Sequence, residues 1–312
     1  MLTLFSIPKA FSGHIGVIQD NAIGSWVRLG RDCEVILFGD DPGVAEAALR
    51  HGTRHVPSVA RTRQGTPILS DIFAQAETLA RHPLLCYVNA DIVLFDDLLA
   101  AVERVVERRS GRKFLLVSSR FDLQIEERIA FAPGWDARLR ARARNEGQMY
   151  PAAGSDFFVF TPGLFNPIPP FAVGRGFWDN WLMRRARSRQ ASLIDATAMV
   201  TAVHQYHDYT HVPGVVSPGK SRTEVYATEA EVYATEEGQA NLMLAGGVGQ
   251  LHTMYDASEI LTPDGRLLST LRPGLIRRRI KAWLRRAMMT LAPGVPANIR
   301  RLLAKLGPKV QA

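Results

Sequence analysis

Residues 84–95 read Leu-Leu-Cys-Tyr-Val-Asn-Ala-Asp-Ile-Val-Leu-Phe. Two apolar runs of strand-like composition enclose one polar step, Asn89-Ala90-Asp91. A carboxylate at such a step sits at a strand end, where open α/β sheets present ligands to a crevice. One aspartate facing a diphosphate is the minimum needed to hold a hard divalent cation, Mn2+ or Mg2+, between protein and phosphate oxygens. Asn and Asp also cap ordinary turns, so the step needs partners from elsewhere in the chain.

Three segments offer them. Gly174-Arg175-Gly176-Phe177-Trp178-Asp179-Asn180-Trp181-Leu182 delivers an acid at a helix start between two indoles. The helix dipole favours an acid there. Indole faces also pack on the apolar face of a sugar, and Asp179 can accept a proton from a sugar hydroxyl. Ala202-Val203-His204-Gln205-Tyr206-His207-Asp208-Tyr209-Thr210-His211 holds three of the eight histidines. His204, His207 and His211 share a helical face, which admits a zinc reading. The segment opens as a strand, however, and brings no cysteine. One imidazole, His204, joining Asp91 on Mn2+ or Mg2+ suits the oxygen-rich alternative better. The third segment is Ile7-Pro8-Lys9, after the first apolar run, with Asp40 after the second. Backbone groups and Asp40 can hold a nucleobase or ribose, and Lys9 can reach phosphate as a point charge.

The elements needed to position these residues alternate. Leu2–Ile7 predicts a strand, Ile15–Trp26 a helix, Glu34–Phe38 a strand, Val44–Leu49 a helix and Arg54–Val56 a short strand. A helix over Pro67–Ala80 buries Ile68, Ile72, Phe73, Ala76 and Leu79. The strand Leu84–Val88 leads into the Asn-Ala-Asp step, followed by a helix from Asp97 to Val106 and a strand at Phe114–Val117. Beyond these come a basic helical run at Arg138–Arg144, a strand over Gly154–Phe160 with a polar entrance, a proline-rich loop from Pro162 to Pro170, a helix from Phe177 to Arg187 and a strand at Met199–Val203 that ends at His204. The repeat Val225-Tyr226-Ala227-Thr228-Glu229 and Val232-Tyr233-Ala234-Thr235-Glu236 has a period near two helical turns and reads as one lengthened helix. This order predicts an α/β protein with a mixed, mostly parallel sheet flanked by helices.

Composition divides the chain at about residue 271. Residues 272–312 carry eleven Lys or Arg and no acid; removing that +11 from the net +8 leaves −3 for residues 1–271. Basicity is thus a property of the tail, and a nucleic-acid partner for the body is not expected. In the tail, Ile276, Ile280, Trp283, Leu284, Ala287, Met288 and Leu291 fall on one helical face, with Arg277, Arg278, Lys281, Arg285 and Arg286 around it. Pro293 and Pro296 interrupt it before a second basic amphipathic run from Ile299 to Leu306. Such helices lie on anionic membrane surfaces. Met1 leads straight into strand-like residues with no basic leader, no apolar run reaches spanning length, and Cys33 and Cys86 read as small buried hydrophobes. These features together predict a cytoplasmic protein, peripheral on the inner face of the plasma membrane.

The motifs in their order resemble those of GT-A-fold glycosyltransferases of the nucleotide-diphospho-sugar transferase superfamily, with a relaxed Asp-X-Asp step. The residues carrying the likeness are Ile7-Pro8-Lys9, Ile36-Leu37-Phe38-Gly39-Asp40, Ser70-Asp71-Ile72-Phe73, Val88-Asn89-Ala90-Asp91-Ile92, Gly154-Ser155-Asp156-Phe157-Phe158-Val159-Phe160, Trp178-Asp179-Asn180-Trp181-Leu182 and Val203-His204-Gln205. The resemblance implies a single GT-A, Rossmann-like domain over 1–271. It implies a nucleotide-sugar donor, such as a UDP-sugar, contacted by Ile7, Pro8, Lys9, Asp40, Asp71, Asn89, Ala90 and Asp91. It further implies a cation on Asp91 and His204, an acid near Asp179, a sugar or acceptor site including Asp156, Trp178 and Trp181, and a cell-surface glycan or lipid-linked acceptor. Asn89 departs from the pattern, which has Asp there and so a second negative charge. Two other functions fit the same sheet: a nucleotidyltransferase, and a non-catalytic sugar-nucleotide or glycan-binding scaffold. The Ser12-Gly13-His14 stretch substitutes poorly for the Gly-rich basic loop of the former.

Overall fold

A computed structural model describes residues 1–109, 111–207 and 231–270. The sequence from Leu2 to Val56 alternates strand and helix: β1 (Leu2–Ser6), α1 (Gly13–Trp26), β2 (Cys33–Phe38), α2 (Val44–His51) and β3 (Arg54–Val56). The chain then crosses through α3 (Leu69–Leu79) to β4 (Leu84–Val88), a short β5 (Ile92–Leu94) and α4 (Asp97–Arg108). There follow β6 (Phe114–Val117), β7 (Phe121–Leu123), α5 (Trp135–Glu146), β8 (Gln148–Met149), β9 (Phe157–Phe160), α6 (Trp178–Ser188), β10 (Ser192–Asp195) and β11 (Ala202–Gln205). The helix α7 (Glu236–Leu244) and the hairpin β12 (Glu259–Leu261) and β13 (Leu267–Ser269) complete the described fold.

Nine strands form one sheet in the order β13-β12-β10-β6-β9-β4-β1-β2-β3. It is mostly parallel; β9 runs antiparallel between β4 and β6, and β13 antiparallel to β12. Both faces of its central strands are buried, which is why β1, β4, β6 and β9 are near-continuous apolar runs. Leu2, Leu4, Cys86 and Val88 face a core layer with Trp26 of α1 and Val102 of α4. Phe5, Leu85 and Tyr87 face the other, with Phe73 of α3 and Leu182 of α6. The architecture is therefore a helix–sheet–helix sandwich, the α/β class with a mixed, mostly parallel sheet expected from the sequence.

The chain leaves β1 toward β2 and β3, then returns to place β4 on the opposite side of β1. Strand order reverses there, so the loops after β1 and β4 diverge and leave a crevice between them. Those loops hold Lys9 and Asp91. Ser6 Oγ donates to the Val88 carbonyl at 2.6 Å and ties the two strand ends together beneath it. A second sheet, β5-β11-β7-β8, stands beside the crevice.

The structure departs from the sequence expectations in several elements. The strands β7, β8, β10, β12 and β13 are too short or too polar to have carried a period-2 signal. His204 lies inside β11 rather than at its end. The second copy of the repeat is not one helix: residues 231–234 are helical, then Thr235 interrupts and caps α7, its hydroxyl accepting from Gly238 N at 3.1 Å. The first copy, His211 and the basic tail lie outside the described residues. No helix among the described residues is long and apolar enough to cross a membrane.

Candidate active site

Strand register assembles the site. β11 pairs with β5 on one side and with β7 on the other, which sets His204 opposite both Ile92 and Asp122. Asp91 immediately precedes Ile92, so His204 Nε2 comes to 3.9 Å from Asp91 Oδ2. His207, two residues past β11, places Nε2 at 3.0 Å from the same oxygen. The Asp91 carbonyl accepts from Gln205 N at 3.3 Å and from Gln205 Nε2 at 3.1 Å, which fixes the turn to the strand.

Asp91, His204 and His207 offer ligand atoms all within 4.8 Å of one another. Asp91 Oδ1 is buried with no hydrogen-bond partner. A carboxylate oxygen left unpaired in the interior is costly, and an electropositive group at this carboxylate would satisfy it. Burial alone pushes the Asp91 carboxyl upward. The His207 hydrogen bond and the nearby His204 and Lys9 outweigh this and hold it well below the usual carboxylate range. Burial, with Lys9 beside it, shifts His207 toward the neutral imidazole despite Asp91.

The tautomer of His204 follows from its other neighbour. Its Nδ1 lies 3.0 Å from Asp122 Oδ1. An ionised carboxylate only accepts, so Nδ1 carries the proton and the Nε2 lone pair points to the crevice, as in carboxylate–histidine metal sites. Asp122 is in turn held by Arg120 Nε at 2.8 Å. Arg120 also pairs with Asp156, and its guanidinium lies 4.0 Å from the Tyr150 ring centroid. Asp156 Oδ1 accepts from Asn89 Nδ2 at 2.9 Å, and its carbonyl accepts from Asn89 N at 2.9 Å. A polar circuit thus runs from His204 through Asp122, Arg120 and Asp156 back to Asn89, two residues from Asp91.

The crevice opens into a cleft of about 1150 Å3, including the solvent at its mouth. Ile7, Lys9, Asn89, Ala90, Asp91, Asp156, Trp178, Asp179 and His204, all singled out in the sequence, line it. Gln19 clamps the Lys9 backbone from both sides, accepting from N at 2.7 Å and donating to O at 2.9 Å. Asp179 reaches the cleft because residue 154 is glycine: a Cβ there would lie 2.7 Å from Asp179 Oδ2.

The remaining sequence candidates lie elsewhere or act otherwise. Pro8 is not among the lining residues. Asp40 is mostly exposed and pairs with Arg61 at 2.6 Å. Asp71 accepts from Ala60 N at 2.7 Å and Gln75 Nε2 at 2.9 Å, in the first turn of α3. Trp181 is buried against Phe171 in the core, with ring centroids 5.6 Å apart. Trp178 is 5% exposed and packs edge-on to Tyr87, so it supports the cleft floor more than it offers an open face. Asp156 has both oxygens engaged, which makes it a strut of the wall. Sequence reasoning did not single out Arg120, Asp122, Tyr150 or Tyr233. Only strand register joins Asp122 to His204, and it leaves no local signal.

No family model and no curated protein sequence matches the chain. Among solved structures, it is similar to S. aureus TarS in complex with UDP-GlcNAc: 11% identity and a TM-score of 0.45, over 80% of this chain and 72% of that one. It is also similar to glucosyl-3-phosphoglycerate synthase from Mycobacterium tuberculosis in complex with Mg2+ and UDP. There the identity is 15% and the TM-score 0.43, over 79% of this chain and 80% of that one. The same synthase with Mn2+, UDP-glucose and phosphoglyceric acid gives 15% identity and a TM-score of 0.43, with the same coverage.

Proposed function

We propose that this protein transfers a glycosyl group from a nucleotide-diphosphate sugar, such as a UDP-sugar, to a hydroxyl acceptor, in the manner of the GT-A glycosyltransferases its motifs resemble. The observation that carries the proposal is the buried Asp91 carboxylate at the crevice between β1 and β4, with Oδ1 unpaired and Oδ2 beside two imidazoles. Asp91 and His204 would hold Mn2+ or Mg2+, which supplies charge neutralisation for the departing diphosphate when bound. Lys9, on the opposite lip, adds a point charge for phosphate. Asp179 binds the acceptor hydroxyl across the cleft and accepts its proton as the new glycosidic bond forms. The circuit through Asp122, Arg120 and Asp156 holds His204 and the Asn89-Ala90-Asp91 turn in place, so little reorganisation is needed at the moment of reaction.

The missing negative charge at Asn89 would favour a non-catalytic scaffold. The amide has a different reason to be there, as the donor to Asp156. A nucleotidyltransferase lacks its Gly-rich basic loop after β1. The basic amphipathic sequence of residues 272–312 suits attachment to an anionic membrane and hence a lipid-linked or cell-surface glycan acceptor. Donor hydrolysis tests the reading: release of nucleotide from a panel of sugar nucleotides with Mn2+ is expected from wild type and is lost in Asp91→Ala. Absence of release from every donor, with no thermal shift on adding them, would refute it.

A further inference from the structure

We infer that His207 is a third protein ligand of the same cation, and that this site therefore prefers Mn2+ and later transition ions over Mg2+ and binds them without a nucleotide. The inference rests on the proposed function only in taking the Asp91 crevice as a cation site. Two donors each about 2.1 Å from one ion lie about 3.0 Å apart at right angles and about 3.4 Å apart at tetrahedral angles. His207 Nε2 stands 3.0 Å from Asp91 Oδ2, and His204 Nε2 stands 3.9 Å from it. Of the two imidazoles, His207 is the one already at ligand spacing; His204 needs to close by a few tenths of an ångström.

The donor set determines the ion. One carboxylate with phosphate and water oxygens suits Mg2+, which dehydrates reluctantly and takes oxygen ligands. Two imidazole nitrogens with one carboxylate favour borderline ions, and affinity rises along the first-row series from Mn2+ through Co2+. Three side chains from the protein also replace coordination that the donor diphosphate would otherwise have to supply. They compensate for the charge missing at Asn89, whose amide is turned to Asp156.

The probe is the metal alone. Metal-free full-length protein is titrated with Mn2+, Co2+ and Mg2+ by calorimetry in the absence of nucleotide, and the visible spectrum of the Co2+ form is recorded. Wild type is expected to bind Mn2+ and Co2+ at least tenfold more tightly than Mg2+. His207→Ala and His207→Gln are expected to lower Mn2+ affinity at least tenfold, to erase the preference over Mg2+ and to change the Co2+ spectrum. His207→Gln keeps a donor toward Asp91, so it separates loss of a ligand from loss of a hydrogen bond; thermal unfolding confirms that both variants fold. Unchanged Mn2+ affinity and an unchanged Co2+ spectrum in both variants would overturn the role of His207 while leaving the cation site of Asp91 and His204 standing. No binding of any of the three ions by wild type, with or without UDP, would overturn both.

Discussion

Placing an aspartate at position 89, as in the motif this segment resembles, is expected to damage this protein. Asn89 Nδ2 donates to Asp156 Oδ1 at 2.9 Å, and Asp156 is already paired with Arg120. Asn89→Asp removes a hydrogen bond to a charged acceptor, worth about 1.5–3 kcal/mol. It also sets two carboxylates about 4 Å apart, a repulsion of about 4 kcal/mol at an effective dielectric near 20. Arg120, and uptake of a proton shared by the pair, cap the sum. A net loss of about 3 kcal/mol follows, or a fall in melting temperature of roughly 4–6 °C for a chain of this size. Asn89→Ala loses only that hydrogen bond, without the added repulsion. Denaturant and thermal unfolding at neutral pH should therefore rank wild type above Asn89→Ala and Asn89→Ala above Asn89→Asp. The double variant Asn89→Asp with Asp156→Asn, which keeps one amide and one carboxylate across the contact, should recover part of the loss. An Asn89→Asp protein as stable as wild type, or one that binds Mn2+ more tightly, would refute the strut.

Three further outcomes are expected. Gly154→Ala puts a methyl 2.7 Å from Asp179 Oδ2, so transfer should fall roughly tenfold to a hundredfold through misplacement alone, with unfolding nearly unchanged; undiminished activity would remove Asp179 from the reaction. Burial raises the Asp122 carboxyl, but Arg120 and His204 outweigh it and bring it from 3.8 to about 2. Its stabilisation, on the order of 2 kcal/mol, is then fully present above pH 4 and lost as pH falls toward 2; the difference in stability between wild type and Asp122→Asn should shrink across that window, measured by urea unfolding at several pH values. Finally, deletion of residues 272–312 should abolish pelleting with anionic vesicles and leave neutral vesicles ignored; a deleted protein that still pellets would place the membrane contact elsewhere.

Local features were legible in the sequence. The apolar flanks of Asn89-Ala90-Asp91 announced a buried strand end, and Gly174 to Leu182 announced a helix start carrying Asp179. The alternation from Leu2 to Val117 gave the layered sheet, because strands buried on both faces must be continuous apolar runs. What could not be read was register. Asp122 meets His204 across 82 residues, and Ser118-Ser119-Arg120-Phe121-Asp122 has no periodicity that marks a strand. Trp181 misled because an indole three residues from Trp178 fits a core stripe as well as a sugar platform, and here it serves the core. Asp40 and Asp71 each follow or open a correctly placed element; in the structure Arg61 holds one and Ala60 and Gln75 hold the other, partners that no local signal announced. The heptad in Val225–Glu236 could not reveal that Thr235 would serve as a cap. Nor could it reveal that Tyr233 would reach the cleft wall, with a ring that leaves no room for a Cβ at Gly176.

Diffraction from crystals soaked with Mn2+ and a UDP-sugar, collected near the manganese edge, tests the cation site most directly. An anomalous peak about 2.0–2.3 Å from an Asp91 oxygen and His204 Nε2, with the diphosphate on its far side, is expected, and the peak should vanish in Asp91→Ala. A bound nucleotide whose phosphates lie away from Asp91, or a peak that survives that substitution, would contradict it.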